Sequence, residues 1–347
     1  GVVLMVFTII GVVGAPVFVQ VMAPGFSSDP EKFEATVVML RWTFPYLFFI
    51  SLVALAAGIL NTHNRFAAAA ATPILLNVCL IVTVCFFVPA NIDSSIVLGV
   101  GVLIAGIIQF AFQFPFLKRV SRIPSPKLLA KDKTQARGAE GVKQVMTLMV
   151  PAIFGVSIAQ INLLINTVLA SFLVTGSVSW LYYSDRLMEF PLGVFGVALA
   201  TVILPSLSRH IAENQEDAYN ETLNWALKLV FLVCLPAAVG LALLAFPLIV
   251  TLFNYGAFSD MDAEMSARSL AAFSIGLVGF VAVKVLAPGF YARKNTKTPV
   301  MIGAVAMGVN AVVALSLIWN FDHVGLALAT SIAGLVNAGL LFWQLKK

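Results

Sequence analysis

The stretch Ser177–His210 reads SVSWLYYSDRLMEFPLGVFGVALATVILPSLSRH. It is mostly apolar and, as an α-helix, long enough to cross a hydrocarbon core of about 30 Å. Three charged residues, Asp185, Arg186 and Glu189, lie inside it. A charge at mid-membrane costs roughly 2.5–3.5 kcal/mol on insertion scales, so we expect these side chains to face protein or water. At 100° per residue, Gly193, Gly196 and Ala200 are predicted on the same face as Asp185 and Glu189.

The composition indicates a polytopic membrane protein. The chain is 60% hydrophobic and only 11% charged, whereas soluble domains carry about 25% charged residues. The three cysteines form no metal-binding spacing, and the three histidines lie far apart. We therefore expect no cofactor and no enzymatic activity.

Apolar segments bounded by turn or charge signals predict the membrane spans. Strand alternation is absent, so the spans are predicted to be helices and the fold an all-α polytopic membrane protein. The ten predicted transmembrane helices are Val2–Met22, Glu31–Leu60, Phe66–Val88, Ser95–Leu117, Val142–Val174, Val178–Leu207, Leu223–Phe253, Asp262–Tyr291, Pro299–Trp319 and Val324–Trp343.

The distribution of positive charge predicts the orientation. If the basic segment Lys118–Lys143 is cytoplasmic, most of the 21 Lys and Arg residues fall on that same side of the membrane. This pattern predicts a multi-pass protein with anionic phospholipids as partners at its cytoplasmic face. The Lys and Arg residues of the cytoplasmic side account for the net charge of +5, and this charge does not indicate a nucleic-acid partner.

An internal repeat divides the chain. A shift of 231 residues aligns Pro16 with Pro247, Gly25 with Gly256 and Gly58 with Gly289, and a slightly larger shift aligns Asn77 with Asn310. Spans one to four thus correspond to spans seven to ten, in the same direction through the membrane, as in parallel transporter repeats.

The repeat also predicts the domains. We expect a first lobe at residues 1–117 with four of six helices, a basic cytoplasmic linker at 118–141, and a six-helix second lobe at 142–347. Spans five and six have no counterpart in the first copy, so two further spans are expected before Gly1.

Three stretches resemble the MviN/MurJ family of lipid II flippases, in the MATE-like superfamily. They are AAGILNTHNRFAAAAATPILLNV (56–78), SWLYYSDRLMEFPLGVFGVALATVILPSLSRH (179–210) and SARSLAAFSIGL (266–277). The resemblance implies two pseudo-two-fold-related lobes around a cationic cavity that opens alternately to each side. It implies transport of lipid II, the undecaprenyl-pyrophosphate-linked peptidoglycan precursor, from the cytoplasmic to the periplasmic leaflet of the bacterial inner membrane by an expected monomer. The family's first two helices, with several key arginines, and its last two are absent from this chain.

The resemblance places an essential Asp-Arg pair at Asp185 and Arg186, facing the cavity. The guanidinium of Arg186 offers a planar fork of donors that suits a pyrophosphate. Glu189, three residues later, is placed to neutralise that guanidinium when substrate leaves. The alternative is an intrahelical arrangement that serves packing between helices.

A second group of polar residues lies in other spans. Gln160, Asn162 and Asn166 are candidates for a cavity or coupling-ion site, with bonding between helices as the alternative. Arg41 is a candidate for the outer vestibule, or it extends to the interface as long cations near helix ends do. Lys284, near the inner end of its span, is expected to extend in this way.

A cytoplasmic gate is the third hypothesis. His63 and Arg65 lie in a short basic turn that is expected to help gather an anionic headgroup, and Glu216 and Asp217 are expected to pair with such cations when the cytoplasmic side closes. For the basic turn, the alternative is that its charges only set the topology.

The residues alone leave two other functions possible. One is a multidrug or polysaccharide-lipid exporter of the same superfamily. The other is a polyprenyl-phosphate membrane enzyme, which needs clustered carboxylates or histidines that this sequence does not provide. Transport is expected to be coupled to an ion or to the membrane potential, and the sequence does not choose between them.

Overall fold

The computed structural model describes residues 2–63, 65–87, 94–120 and 160–346, together with Thr147, Ile153 and Ser157. Within this part of the chain the regular structure is helical, without strands. The chain divides into two compact units, Gly1–Glu140 and Gly141–Lys347. Most of the predicted linker and the first half of the predicted span Val142–Val174 lie outside the described residues.

The first unit contains seven α-helices and one 3-10 turn in its described part. They are α1 (Val2–Val13), α2 (Ala15–Met22), the 3-10 turn Pro24–Ser28, α3 (Pro30–Thr43), α4 (Tyr46–Thr62), α5 (Phe66–Ala70), α6 (Thr72–Phe87) and α7 (Ser94–Arg119).

The second unit has a longer set of helices. They are α8 (Gln160–Ser171), then α9 (Ser177–Pro191), the π-helical segment Leu192–Val197, α10 (Ala198–Ala212), α11 (Glu216–Leu243), α12 (Ala245–Phe253), α13 (Asp260–Ala292) and α14 (Lys297–Leu345).

Seven helical stretches in the described residues are long and apolar enough to span a membrane, or eight if α1 and α2, bent by 72°, form one span. The chain is therefore a multi-pass helical membrane protein, as its composition predicts. Two of the ten predicted spans, Pro299–Trp319 and Val324–Trp343, lie together within α14.

α14 is a helical hairpin. Its backbone leaves helical geometry at Asp322, where φ is 48° and ψ is −133°. The Thr330 hydroxyl lies 3.4 Å from Asn310 Oδ1, although twenty residues of straight helix would separate them by about 30 Å. The two halves of α14 are therefore antiparallel, which agrees with two spans and a tight turn.

The structure shows the internal repeat in its helix breaks. α1 and α2 are interrupted at Gly14, and α11 and α12 are interrupted at Leu244. These breaks lie within three residues of the repeat-equivalent prolines Pro16 and Pro247. Because proline lacks the amide donor of a helix interior, it is tolerated near the start of the following helix; α1 and α2 meet there at an angle of 72°.

The single face predicted for the charged helix does not continue past Pro191. The residues that follow, Leu192–Val197, form a π-helical segment, whose wider turn interrupts the 100° repeat. The positions of Gly193, Gly196 and Ala200 therefore do not follow from the α-helical spacing, and that part of the prediction was wrong.

α13 is the central helix of the second unit. It packs against α9, α10, α11, α12 and α14, and its apolar window is the most buried of the candidate spans in the described residues. Small residues permit its close approach to α14: a Cβ on Gly279 would lie 2.9 Å from backbone atoms of Gly334. Such small-residue contacts are typical of packing between membrane helices.

Replacement of Gly279 by alanine tests this approach. We expect Gly279→Ala to destabilise the protein by about 1–3 kcal/mol, because the added methyl must displace the backbone of α14. Gly339→Ala is the matched control, since a Cβ there has open space and alanine is favoured over glycine in a helix by about 1 kcal/mol. Thermal unfolding in detergent measures both, and equal shifts in the same direction would contradict the packing described.

Candidate functional site

Two hydrogen bonds fix the orientation of α9, which carries the three predicted site charges. The indole nitrogen of Trp180 donates to Asp262 Oδ1 at 2.7 Å, and the buried Ser184 hydroxyl donates to the carbonyl oxygen of Ser266 at 2.6 Å. Both acceptors belong to α13. One face of α9 is thereby covered by α13, and the charged residues lie away from it.

Arg186 and Glu189 form an ion pair on the uncovered side of α9. Arg186 Nη1 lies 2.7 Å from Glu189 Oε2, and the two side chains are 52% and 49% exposed. The guanidinium carbon lies 4.9 Å from the ring centroid of Tyr182, within the range of a cation–π contact. Asp185, at the preceding position, is half-buried.

The pair is weak enough to exchange. Half-exposed ion pairs between residues three or four apart contribute about 0.3–0.5 kcal/mol. A diphosphate offers the guanidinium more acceptors and more charge than one carboxylate does. The geometry therefore leaves Arg186 available to an anionic ligand, while Glu189 keeps it paired otherwise.

The amide residues of α8 meet polar residues of α14. Asn310, fully buried, donates from Nδ2 to Asn162 Oδ1 at 2.7 Å and to Asn166 Oδ1 at 3.0 Å. Asn166 donates to the Thr330 hydroxyl at 3.1 Å. Gln160 is exposed at the start of α8. The two predicted asparagines are therefore both hydrogen-bonded to polar residues of α14.

A cavity of about 650 Å³ opens next to this amide cluster in the second unit. Asn162, Thr330 and Asn337 supply polar atoms to its wall, and Lys284 supplies a cation. Lys284 also lies against the π-helical segment: a Cβ added to Gly196 would lie 3.4 Å from the Cγ of Lys284. The expectation that Lys284 only extends to the interface did not anticipate this cavity.

The remaining predicted residues of the first unit lie on its surface. Arg41 is exposed on α3 and lines a hollow of about 510 Å³ with Gln20, Ser27 and Glu34. His63 ends α4, where its Nδ1 lies 2.9 Å from the carbonyl oxygen of Ile59. Arg65 is exposed beside it.

Glu216 has a cationic partner in the second unit. Its Oε2 accepts from Arg293 Nη2 at 2.9 Å, and the Arg293 guanidinium lies 4.6 Å from the ring centroid of Tyr219. The Tyr219 hydroxyl donates to the carbonyl oxygen of Gly289 at 3.0 Å. Asp217 is exposed next to Glu216. This group joins the start of α11 to the end of α13.

Sequence reasoning missed Asn310 and Thr330 as site residues. In the sequence Asn310 stands out only as the repeat partner of Asn77, and no pattern marks Thr330. A buried amide in an apolar span was the available signal, because polar groups within a membrane require a partner. Among the described residues, no group of three or more His, Cys, Asp or Glu side chains could hold a metal ion.

Comparisons with known proteins identify the family. The profile of the family described as "Lipid II flippase MurJ" matches residues 1–347. A probable lipid II flippase MurJ of Haemophilus influenzae is 42% identical over 99% of this chain and 68% of that relative. A probable lipid II flippase MurJ of Vibrio cholerae is 44% identical over 99% of this chain and 65% of that relative. The chain thus spans about two thirds of the length of these curated relatives.

Solved structures give the same result for the fold. A lipid II flippase MurJ in an inward closed conformation superposes with a TM-score of 0.84 at 28% identity, over 100% of this chain and 70% of that one. An inward-facing multidrug resistance MATE transporter superposes with a TM-score of 0.81 at 12% identity, over 99% of this chain and 79% of that one, which shows the fold alone. The chain therefore belongs to the MurJ family of lipid II flippases.

Proposed function

We propose that this chain moves lipid II from the cytoplasmic to the periplasmic leaflet of the bacterial inner membrane by alternating access. The names of the relatives support the substrate, and the family membership supports a transporter rather than an enzyme. The observation that carries the proposal is the exposed guanidinium of Arg186, paired with Glu189 at 2.7 Å in a helix that is otherwise largely apolar.

The proposed mechanism at this site is an exchange of partners. The substrate pyrophosphate displaces Glu189 from Arg186 and accepts two parallel hydrogen bonds from the guanidinium fork. Tyr182, at 4.9 Å, keeps the guanidinium plane in place during the exchange. When substrate leaves, Glu189 pairs with Arg186 again, so the cation is neutralised in both states.

Other parts of the proposal rest on the sequence. We propose that the protein has ten spans, acts as a monomer, and contacts anionic phospholipids on the cytoplasmic side. Transport is coupled to an ion or to the membrane potential. The bonds of Asn162 and Asn166 to Asn310 support an interhelical role for these amides, so we assign them to holding α8 against α14.

Substitution of Arg186 tests the substrate site. We expect Arg186→Ala to abolish translocation of fluorescent lipid II in proteoliposomes of the intact protein. Arg186→Lys should restore little activity, because a point charge does not reproduce the two-donor fork.

Arg268→Ala is the matched control. It removes an equally short exposed ion pair, with Glu264 at 2.6 Å, from another helix of the same unit. Full activity in Arg186→Ala, or equal loss in both variants, would contradict the site assignment.

Charge reversal at Glu216 tests the proposed gate. We expect Glu216→Lys to change maleimide labelling of a cysteine introduced at Ala287, a cavity position, because Arg293 loses its partner. Labelling is measured from each side of the membrane in a background without Cys79, Cys85 and Cys234. The exchanged pair Glu216→Arg with Arg293→Glu should restore the original labelling, and the same change at Asp217 shows whether that residue shares the role. Unchanged labelling in Glu216→Lys would reject the gate.

Removal of Asn310 tests the interhelical role of the amides. We expect Asn310→Ala to destabilise the protein by about 1–2 kcal/mol, since the partly buried side-chain oxygens of Asn162 and Asn166 lose their donor. Its repeat equivalent Asn77 is exposed, so Asn77→Ala should change thermal stability little. An Asn310→Ala protein with full stability but altered ion dependence of transport would favour an ion site instead.

A further inference from the structure

A groove in the second unit lies outside every site described above. It has a volume of about 530 Å³ and is lined by Asn224, Leu227, Lys228, Phe231 and Leu232 of α11 and by Phe342 of α14. None of the six lining residues is acidic. The groove lies near the start of α11 and the end of α14, at the end of the unit that the distribution of Lys and Arg assigns to the cytoplasm.

Two cations border this groove. Lys228 is exposed on its α11 wall. The ammonium of Lys346, also exposed, lies 4.8 Å from the ring centroid of Phe342 on the opposite wall. A cation on the α11 wall and a second one beside Phe342 complement a ligand with an anionic head and apolar chains.

An exposed apolar stripe continues from the groove along α11. Phe231, Leu235, Val239 and Leu243 follow one another at intervals of four residues, and each is more than half exposed. Residues four apart lie one above another on a helix face. The stripe therefore extends about 18 Å from the groove toward the far end of α11, in the direction that acyl chains take into a bilayer.

Two tryptophans place the groove at the level of lipid headgroups. Trp225 and Trp343, each 56% exposed, directly follow the groove residues Asn224 and Phe342. Exposed tryptophans in membrane proteins concentrate at the boundary between hydrocarbon and water. The two tryptophans thus lie within one turn of the two cations, and the apolar stripe begins at the groove and leads away from them along α11.

We propose that this groove binds an anionic phospholipid, with its phosphate between Lys228 and Lys346 and an acyl chain along the stripe of α11. The site is separate from the proposed substrate site at Arg186 and does not depend on it. The bound lipid would cover a part of α11 that the described residues leave apolar and exposed.

Native mass spectrometry of the intact protein with added phosphatidylglycerol or phosphatidylcholine tests this site. We expect the wild type to retain phosphatidylglycerol in preference to phosphatidylcholine. In the double variant Lys228→Gln, Lys346→Gln, phosphatidylglycerol binding should be roughly thirty-fold weaker, which corresponds to about 1 kcal/mol for each lysine. Lys228→Arg with Lys346→Arg keeps the charge and should keep the binding, and it serves if the glutamine variant does not fold.

The matched control is Lys294→Gln with Lys297→Gln. It removes two positive charges from the connection between α13 and α14, away from the groove, and should leave binding unchanged. Equal loss of binding in both glutamine variants would overturn the proposal, because it would show that the lipid is attracted by positive charge in general and not by this groove. Equal retention of the two lipids by the wild type would overturn it as well. A dimer that disappears only in the Lys228 and Lys346 variant would show that a second copy, not a lipid, occupies the groove. Lipid II translocation, measured in parallel, separates this result from the test of Arg186.

Discussion

The hydrogen bonds between α9 and α13 decide where the charged residues of the second unit lie. Trp180 and Ser184 bond to Asp262 and Ser266, so the same side of α9 always meets α13. A helix with three charges would otherwise be free to rotate toward whichever surroundings lower its free energy. With one face bonded, the ion pair of Arg186 is held on the opposite side. Specific polar contacts thus position a functional group that hydrophobic packing alone would leave undetermined.

The sequence predicted the main elements because membrane spans are set by local composition. A run of about 20 apolar residues has few alternatives to a helix when no water is present to satisfy its backbone. The described helices α7, α13 and the two halves of α14 accordingly agree with predicted spans within a few residues. The charged triad was found for the same reason, since Asp185, Arg186 and Glu189 contrast with everything around them.

Other features depend on contacts that no local pattern contains. The π-helical segment follows Pro191, which lacks a backbone amide donor. The rule of 100° per residue assumes a uniform α-helix and therefore does not predict such a segment. The wall position of Lys284 depends on residues of α8 and α14 that line the same cavity. Asn310 became interpretable only when its two partners on α8 were known. In each case the residue type was visible in the sequence, but its surroundings came from the tertiary fold.

The turn at Asp322 has a consequence for how the protein enters its membrane. The backbone reverses there within a few residues, and so short a connection cannot reach across about 30 Å of hydrocarbon. The two halves of α14 therefore have no separate route into the bilayer: once one half is inserted, its partner must cross in the same event. The translocation machinery would handle residues 297–345 as a single hairpin. The contact between Asn310 and Thr330 lies within this hairpin and needs no other helix to form.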